Sequence, residues 1–278
     1  MNTVVRQRNL EAAKGGEDQP NYPAEHAPAS TFTPSRGQAF VYVIGTLKGG
    51  VGKTRISMLI AFFLAMLGFR IVFIDADSTS QSSSTWEQRV LGAKKKLPFE
   101  VLAYPLDDLD KKIDQIRARG DVDYIICDIG GGNSNAFTAA IRRAHKLIMP
   151  IGADQSEVDR LGPTRASALG ASSLSTVGGC QMFVAFNKID RRRKQADKFR
   201  PFLEDPTQEF GAYPLCFTEI PQLSAYADAY GTLVESFDFK NEFVNLDYLL
   251  HETGIWEFER LVEEFDEEAE PESEEVSV

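Results

Sequence analysis

The chain has 278 residues, 43% of them hydrophobic and 26% charged, with a formal net charge of −11. That apolar content supports one large or two small cores. No apolar run approaches the length of a bilayer span, and the polar stretch from Met1 to Gly37 has no h-region of a secretory signal, so the chain reads as soluble and cytoplasmic. Cys127, Cys180 and Cys216 are odd in number and widely spaced, which fits reduced thiols and excludes a disulfide framework or a metal knuckle.

Residues 1–37 are rich in Gly, Pro, Ala, Ser and charge without periodicity, and read as a flexible arm. From Gln38 onward apolar runs alternate with helical stretches. Strands are predicted at 39–45, 70–75, 99–104, 122–129, 146–151, 181–188 and 213–219. Continuous apolar runs such as Tyr124-Ile125-Ile126-Cys127 mark strands buried on both faces, as in parallel sheets. The expected architecture is therefore α/β and doubly wound, a mostly parallel sheet with helices on both faces. Residues 38–262 read as one domain. A last helix is predicted over about 242–266, with Gly254 as an interruption. Nine acidic side chains and no basic one lie between 263 and 275; removing these nine leaves −2 for the rest. Residues 263–278 thus read as an acidic, disordered tail on a nearly neutral body.

The first strand runs into Lys48-Gly49-Gly50-Val51-Gly52-Lys53-Thr54, and then into Ile56, Leu59, Ile60, Phe63, Leu64 and Leu67 at helical spacing, with Gly68 as the stop. A glycine-rich turn from strand to helix presents backbone N–H groups to phosphate oxygens. In such a loop Lys53 reaches the β- and γ-phosphates, the Thr54 hydroxyl holds Mg²⁺, and the N–H of Arg55 faces the α-phosphate. The pattern G-x-x-x-x-G-K-[ST] is met except at its first glycine, where Leu47 stands.

Ligands of open parallel sheets bind beyond the carboxyl ends of the strands. Asp75 and Asp77 close the second strand and Asp128 closes the fourth. Asp128 is placed to orient a Mg²⁺-bound water, or else to cap a helix. Asp75 and Asp77 point in different directions on an extended backbone, so one can serve a metal and the other an attacking water; a turn pair capping the Ser78–Ser84 loop is the plainer alternative. Asn187-Lys188-Ile189-Asp190 matches the NKxD pattern of GTPases, and Asp128-Ile129-Gly130-Gly131 fits their DxxG. The densest basic patch is Arg191-Arg192-Arg193-Lys194, near Lys198 and Arg200. Arg142, Arg143 and Lys146 form a second, and Arg160 with Arg165 a spaced pair.

The succession Lys48–Thr54, then Ile74-Asp75-Ala76-Asp77, then Tyr124-Ile125-Ile126-Cys127-Asp128 resembles the deviant Walker A ATPases of the ParA/MinD family, over about residues 39–262. Thr218-Glu219-Ile220-Pro221 and Ala229–Val234 resemble the adenine-side loop and following helix of its ParA branch. The resemblance implies a P-loop NTPase fold of the SIMIBI type, with ATP and Mg²⁺ as ligands. It implies that Lys48 crosses a homodimer interface to the partner's nucleotide, working like an arginine finger. It further implies that Asp75 supports the metal side, Asp77 positions the lytic water, Asp128 is the Walker B acid, and Asn187 and Pro221 lie near adenine. GTP bound through Asn187–Asp190 stays the alternative. Two segments depart from the ParA pattern: Ser78-Thr79-Ser80-Gln81 stands for Pro-Gln-Gly, and Ile129-Gly130-Gly131-Gly132 for Thr-Pro-Pro. Both are expected to be switch loops, the triple glycine making the second more mobile.

The ParA branch also implies non-specific DNA binding, assembled across the dimer from Arg191, Arg192, Arg193 and Lys194, or from Arg142 and Arg143, together with nucleoid association. A ParB-like or other activating partner protein is expected. The sequence holds no helix-turn-helix or zinc motif for base reading. A MinD-like membrane ATPase would need a basic amphipathic C-terminus, whereas this one is acidic and repelled by anionic lipid. A conjugation-associated ATPase acting on a protein complex is the other alternative.

Overall fold

A computed structural model describes residues 39–79, 82–190, 192, 194–222, 224–233 and 244–254. The expected arm at 1–37, the acidic tail at 263–278 and the second half of the predicted last helix lie outside the described residues.

All seven predicted strands form: β1 (Phe40–Ile44), β2 (Ile71–Ala76), β3 (Glu100–Ala103), β4 (Tyr124–Ile129), β5 (Lys146–Ile151), β6 (Gln181–Ile189) and β7 (Leu215–Pro221). They build one sheet in the order β3-β2-β4-β1-β5-β6-β7, and every pairing is parallel. The helices are α1 (Lys53–Met66), α2 (Ser82–Gly92), α3 (Leu109–Arg117), α4 (Ser134–Ile141), α5 (Gln155–Val158), α6 (Leu161–Ser172), α7 (Arg200–Leu203), α8 (Ser224–Asp228) and α9 (Val244–Glu252). α1 ends where Gly68 takes a left-handed turn at φ 92°, as its sequence predicts. α9 ends at Glu252, and Gly254 follows at φ 75°.

β1 shows why a continuous apolar run belongs at the centre of such a sheet. Its alternate side chains serve two cores: Phe40, Tyr42 and Ile44 pack on one face with α1, Trp86 of α2 and Leu246, Leu249 and Leu250 of α9. Val41 and Val43 pack on the other, against Ile113 of α3, Phe137 of α4 and Leu161 of α6. The crossovers divide by direction. Connections that step from β1 to β2 to β3 carry their helices on the first face, and those that step from β3 through β4, β5 and β6 to β7 carry theirs on the second. Right-handed crossovers require that division. α9 is tied down by buried polar contacts: the Glu252 carboxylate accepts the backbone N–H groups of Phe217 and Thr218 in β7, and the Tyr42 hydroxyl donates to the Thr253 carbonyl at 3.2 Å. Cys127 and Cys216 are free thiols buried in the two cores.

His145 precedes β5 and is buried, its Nδ1 accepting the Val41 N–H at 2.9 Å while its ring stacks on Phe40. Burial, reinforced by the nearby cations of Arg117 and Lys146, pushes its pKa from 6.5 down to about 3. The unfolded chain therefore takes up a proton that the fold refuses, so this residue makes stability fall as pH drops from 6.5 towards 3. Between pH 7 and pH 4.5 the loss is on the order of 2 kcal/mol. His145→Gln, measured by urea unfolding at both pH values, is expected to be less stable at pH 7 but to lack that part of the acid slope; an unchanged slope contradicts the assignment.

Candidate functional site

The phosphate loop lies beyond the carboxyl end of β1, at the middle of the sheet, where β4 and β5 flank it. Gly52 adopts φ 89° to turn the chain into α1, with α1 beginning at Lys53. A Cβ at Gly52 would stand 2.5 Å from the Asn187 Nδ2, so the residue is excluded from having a side chain on two grounds. The Asn187 amide donates to the Val51 carbonyl at 2.7 Å, and Lys188 Nζ donates to the Gly50 carbonyl at 2.6 Å. The end of β6 thus clamps the loop from one side. From the inside, Lys53 Nζ donates to the Lys48 carbonyl at 2.7 Å.

The in-register pairing of β2 with β4 sets Asp75 opposite Asp128, both buried, on the same face of the sheet as α1. Asp128 accepts from Ser57 at 3.2 Å and from Ser83 at 3.4 Å, and Thr54 donates to it as well. Burial pushes its pKa up to about 7; the Thr54 hydrogen bond and the Lys53 cation pull down, while the Asp75 charge pushes further up. Asp75 is also raised, first by burial, although it accepts the N–H groups of Asp77 at 3.1 Å and Ser84 at 3.3 Å. Burial holds the Lys53 ammonium below its ordinary value, against the opposing pull of Asp128 and Asp77. Asp77 sits at the rim, its Oδ1 accepting the Thr79 N–H at 2.8 Å.

A cavity of about 590 Å³ opens above this group. Its floor is Gly49, Gly50, Gly52, Lys53, Thr54 and Arg55; its walls are Asp77, Thr79 and Ser82 on one side, Gly131 and Gly132 on another, and Lys188 and Tyr230 on the rest. The Thr54 hydroxyl with Asp75 and Asp128 makes an oxygen-only donor set beside the phosphate loop, which suits a small hard cation such as Mg²⁺. Two buried carboxylates with raised pKa values, Asp128 pushed up by burial and by the Asp75 charge and Asp75 by burial, are the electrostatic condition a divalent cation relieves. Among the described residues no three His, Cys, Asp or Glu side chains gather into a cage. Mg²⁺ is ordinarily bound by one or two carboxylates together with phosphates and water.

Several predicted residues fall elsewhere. Lys48 is half exposed and is not among the residues that line the cavity of its own chain. Its charge acts on Asp154, whose carboxyl is held low chiefly by hydrogen bonds from Ser156. Asn187 is buried beneath the loop, and Pro221 is buried at the end of β7; neither lines the cavity. Asp190 accepts the Arg192 N–H at 3.1 Å.

The second basic patch is corrected by its partners. Arg142 is ion-paired to Asp110 at 3.0 Å and Arg143 to Asp114 at 2.8 Å, because α3 lays its acidic residues against the end of α4; Lys146 is buried with its amino group on Gln181. Arg165 donates to the carbonyls of Phe210 and Gly211, and Arg200 meets Glu219. In the first patch Arg192 is 93% exposed at its side chain and Lys194 is exposed, while Arg191 and Arg193 lie outside the described residues.

Sequence reasoning missed Ser57 and Ser83: Ser57 is the one hydroxyl in the apolar run Ile56–Met66, whereas Ser83 sits within Ser82-Ser83-Ser84-Thr85 and has no signal of its own. It also missed the docking of Tyr230 on α2: its hydroxyl donates to the Ser82 carbonyl, its ring meets Trp86 and Arg89, and Trp86 Nε1 donates to the Thr232 carbonyl at 2.8 Å.

The triple glycine is likewise corrected. It is a place of close approach: a Cβ at Gly131 would lie 2.5 Å from the Gly49 nitrogen and 2.6 Å from the Lys48 carbonyl carbon, and one at Gly130 would lie 2.8 Å from the Asp77 carboxyl carbon. Gly131→Ala must push the phosphate loop aside, at a cost of roughly 1–3 kcal/mol. Titration with a nucleoside triphosphate is expected to show binding weakened about tenfold or more. Gly132→Ala, whose Cβ enters open space, has the smaller effect. Parental affinity in Gly131→Ala contradicts the contact.

The sequence matches the CobQ/CobB/MinD/ParA nucleotide binding domain over residues 42–269. No curated protein is significantly similar in sequence. Among solved structures, the chain shares its fold with the MinD cell division protein of Aquifex aeolicus (22% identity, 77% of this chain and 97% of that one, TM-score 0.55). A putative plasmid partition protein from Borrelia burgdorferi B31 bound to AMPPNP is similar at 14% identity, over 77% and 99% of the two chains, with a TM-score of 0.56. A McdA variant in complex with ATP, from Cyanothece, is similar at 15% identity, over 78% and 97%, with a TM-score of 0.55. With a P-loop at the centre of an all-parallel sheet and the domain matched over most of its length, the chain belongs to the ParA/MinD family of nucleotide-binding proteins.

Proposed function

We propose that this protein is a ParA-type, Mg²⁺-dependent ATPase that dimerises on ATP, binds DNA non-specifically and drives the partition or positioning of DNA or another cargo, reset by hydrolysis. The observation that carries this reading is the cavity that Lys53, Thr54, Arg55 and Asp77 line together, with Asp128 buried behind it. Relatives of the same fold hold AMPPNP in one case and ATP in another, which supports adenine as the base. Asn187 and Lys188 have a use that needs no base, since both hold carbonyls of the phosphate loop.

The loop's N–H groups and Lys53 bind and orient the phosphates. Asp77, at the rim of the cavity, positions the attacking water, and phosphoryl transfer needs positioning and charge stabilisation more than deprotonation. A Mg²⁺ ion bound by Thr54 and Asp128, with Asp75 in support, supplies charge neutralisation at the phosphates. Lys48, half exposed on its own chain, lends its cation to the nucleotide of a second copy. The 131–132 loop and the side made by Thr79 and Ser82, both on the cavity, carry the nucleotide state to the dimer face. DNA contact falls to Arg192 and Lys194 with the neighbouring Arg191 and Arg193, and places the protein on the nucleoid. A ParB-like or other activator is the expected stimulating partner.

The test is ATP-dependent dimerisation by size-exclusion chromatography with light scattering, together with retention on non-specific DNA at rising salt. ATP is expected to produce a dimer that holds DNA and releases it steeply with salt. Lys48→Ala is expected to bind ATP but to turn it over at least about a hundredfold more slowly. ATP that changes neither dimerisation nor DNA retention, while liposomes are bound or GTP alone is taken up, overturns the proposal.

A further inference from the structure

α2 starts at the carboxylates of the site. Ser83 donates to Asp128 at 3.4 Å, and the N–H and hydroxyl of Ser84 meet Asp75 at 3.3 and 3.4 Å. Ser83, Trp86 and Val90 bury one side of the helix, whose 11 residues make a rod of about 16 Å. Its other end closes in a Schellman turn: the Lys94 N–H donates to the Leu91 carbonyl at 2.8 Å and the Lys95 N–H to the Val90 carbonyl at 3.1 Å. Lys94 takes φ 58° there, in the left-handed place that helix ends ordinarily give to glycine.

Lys94, Lys95 and Lys96 are all exposed, and none of their amino groups meets a carboxylate among the described residues. Between residues 78 and 99 the chain carries one acid, Glu87, against Arg89 and these three lysines. The next acid, Glu100, is taken by Arg119 at 2.8 Å. The helix dipole accounts for one cation in the last turn, and Arg89 supplies it. Three further cations in a row concentrate positive potential on one turn, which is what the phosphates of a polyanion recognise. Leu91 is the one large apolar side chain exposed between residues 86 and 98, whereas a membrane contact needs a wide apolar face beside its cations.

We infer that the Lys94-Lys95-Lys96 turn is a docking surface for the phosphodiester backbone of nucleic acid, carried on a helix whose other end is bonded to the carboxylates of the cation site. Asp75 and Asp128 cannot serve Ser84 and Ser83 unchanged once they hold a cation, so the start of α2 answers to the loading of the site. The inference rests on the DNA-binding reading and adds a second surface to Arg192 and Lys194.

The test combines Lys94→Gly, Lys95→Gln and Lys96→Gln in the full chain and measures retention on duplex DNA of random sequence, with ATP and Mg²⁺, at rising salt. Glycine suits the left-handed turn, so the thermal midpoint is expected not to fall. The variant is expected to keep ATP binding, to hold DNA at least about tenfold more weakly, and to lower the slope of log affinity on log salt by about two or more. Lys111→Gln with Lys112→Gln, on α3, is expected to stay within about twofold of the parent. In the parent chain, DNA is expected to shield residues 94–96 from acetylation, and more so with ATP and Mg²⁺ than without. Vesicles of phosphatidylserine and phosphatidylcholine are expected to give no such shielding. An unchanged affinity and salt slope in the variant, lysines acetylated equally with and without DNA, or shielding by vesicles in place of DNA each overturns the inference. A parent chain that retains no DNA in any nucleotide state overturns the DNA-binding reading, and the inference with it.

Discussion

Burying a carboxylate inside an α/β core costs several kcal/mol unless cations and hydrogen bonds offset it, and Asp128 imposes that condition on everything around it. It sits at the end of the central β4, beside the register partner Asp75, and burial pushes its pKa up to about 7. Thr54, Ser57 and Ser83 turn hydroxyls towards it, and Lys53 lies close enough to pull its pKa down. Each of these groups comes from a helix start that follows β1 or β2. The site is thus assembled by strand register: a slip of one residue in β2 or β4 would send one carboxylate into the opposite core.

Around that fixed charge the loops hold one another. Asn187 and Lys188 grip the carbonyls of Val51 and Gly50 from the end of β6, and Gly131 abuts the backbone of Lys48 and Gly49 from the end of β4. Tyr230 closes the wall from the far side by docking on α2, the helix that begins just beyond Asp77. A ligand that moves the phosphate loop must therefore move, or be resisted by, three segments from separate parts of the chain.

The architecture was legible in the sequence because strands buried on both faces, β1, β2, β4 and β5, leave largely continuous apolar runs, and all seven predicted strands form. That Lys53, Thr54, Asp75, Asp77 and Asp128 lie together beyond the strand ends was legible because a glycine-rich turn and strand-end acids obey spacing rules. What spacing could not convey was the partner of each side chain. Arg142 and Arg143 look like a basic patch until α3 folds Asp110 and Asp114 against them. Gly130 to Gly132 look like a flexible linker until the packing against Lys48 and Asp77 shows that a side chain has no room at the first two. Asn187 looks like a base reader until its amide is found on the Val51 carbonyl. These are long-range contacts, separated by about thirty to over a hundred residues, and local pattern carries no signal for them.

The central claim is that the cavity over Gly50–Thr54 holds a nucleoside triphosphate with a divalent cation against Thr54 and Asp128. A crystal structure grown with Mg²⁺ and a non-hydrolysable ATP analogue tests it most directly. The account predicts phosphates lying on the loop with Lys53 upon them, the cation beside Thr54, and a second copy presenting its Lys48. An analogue bound elsewhere on the sheet, or a loop still closed by Lys53 upon the Lys48 carbonyl at saturating ligand, would contradict it.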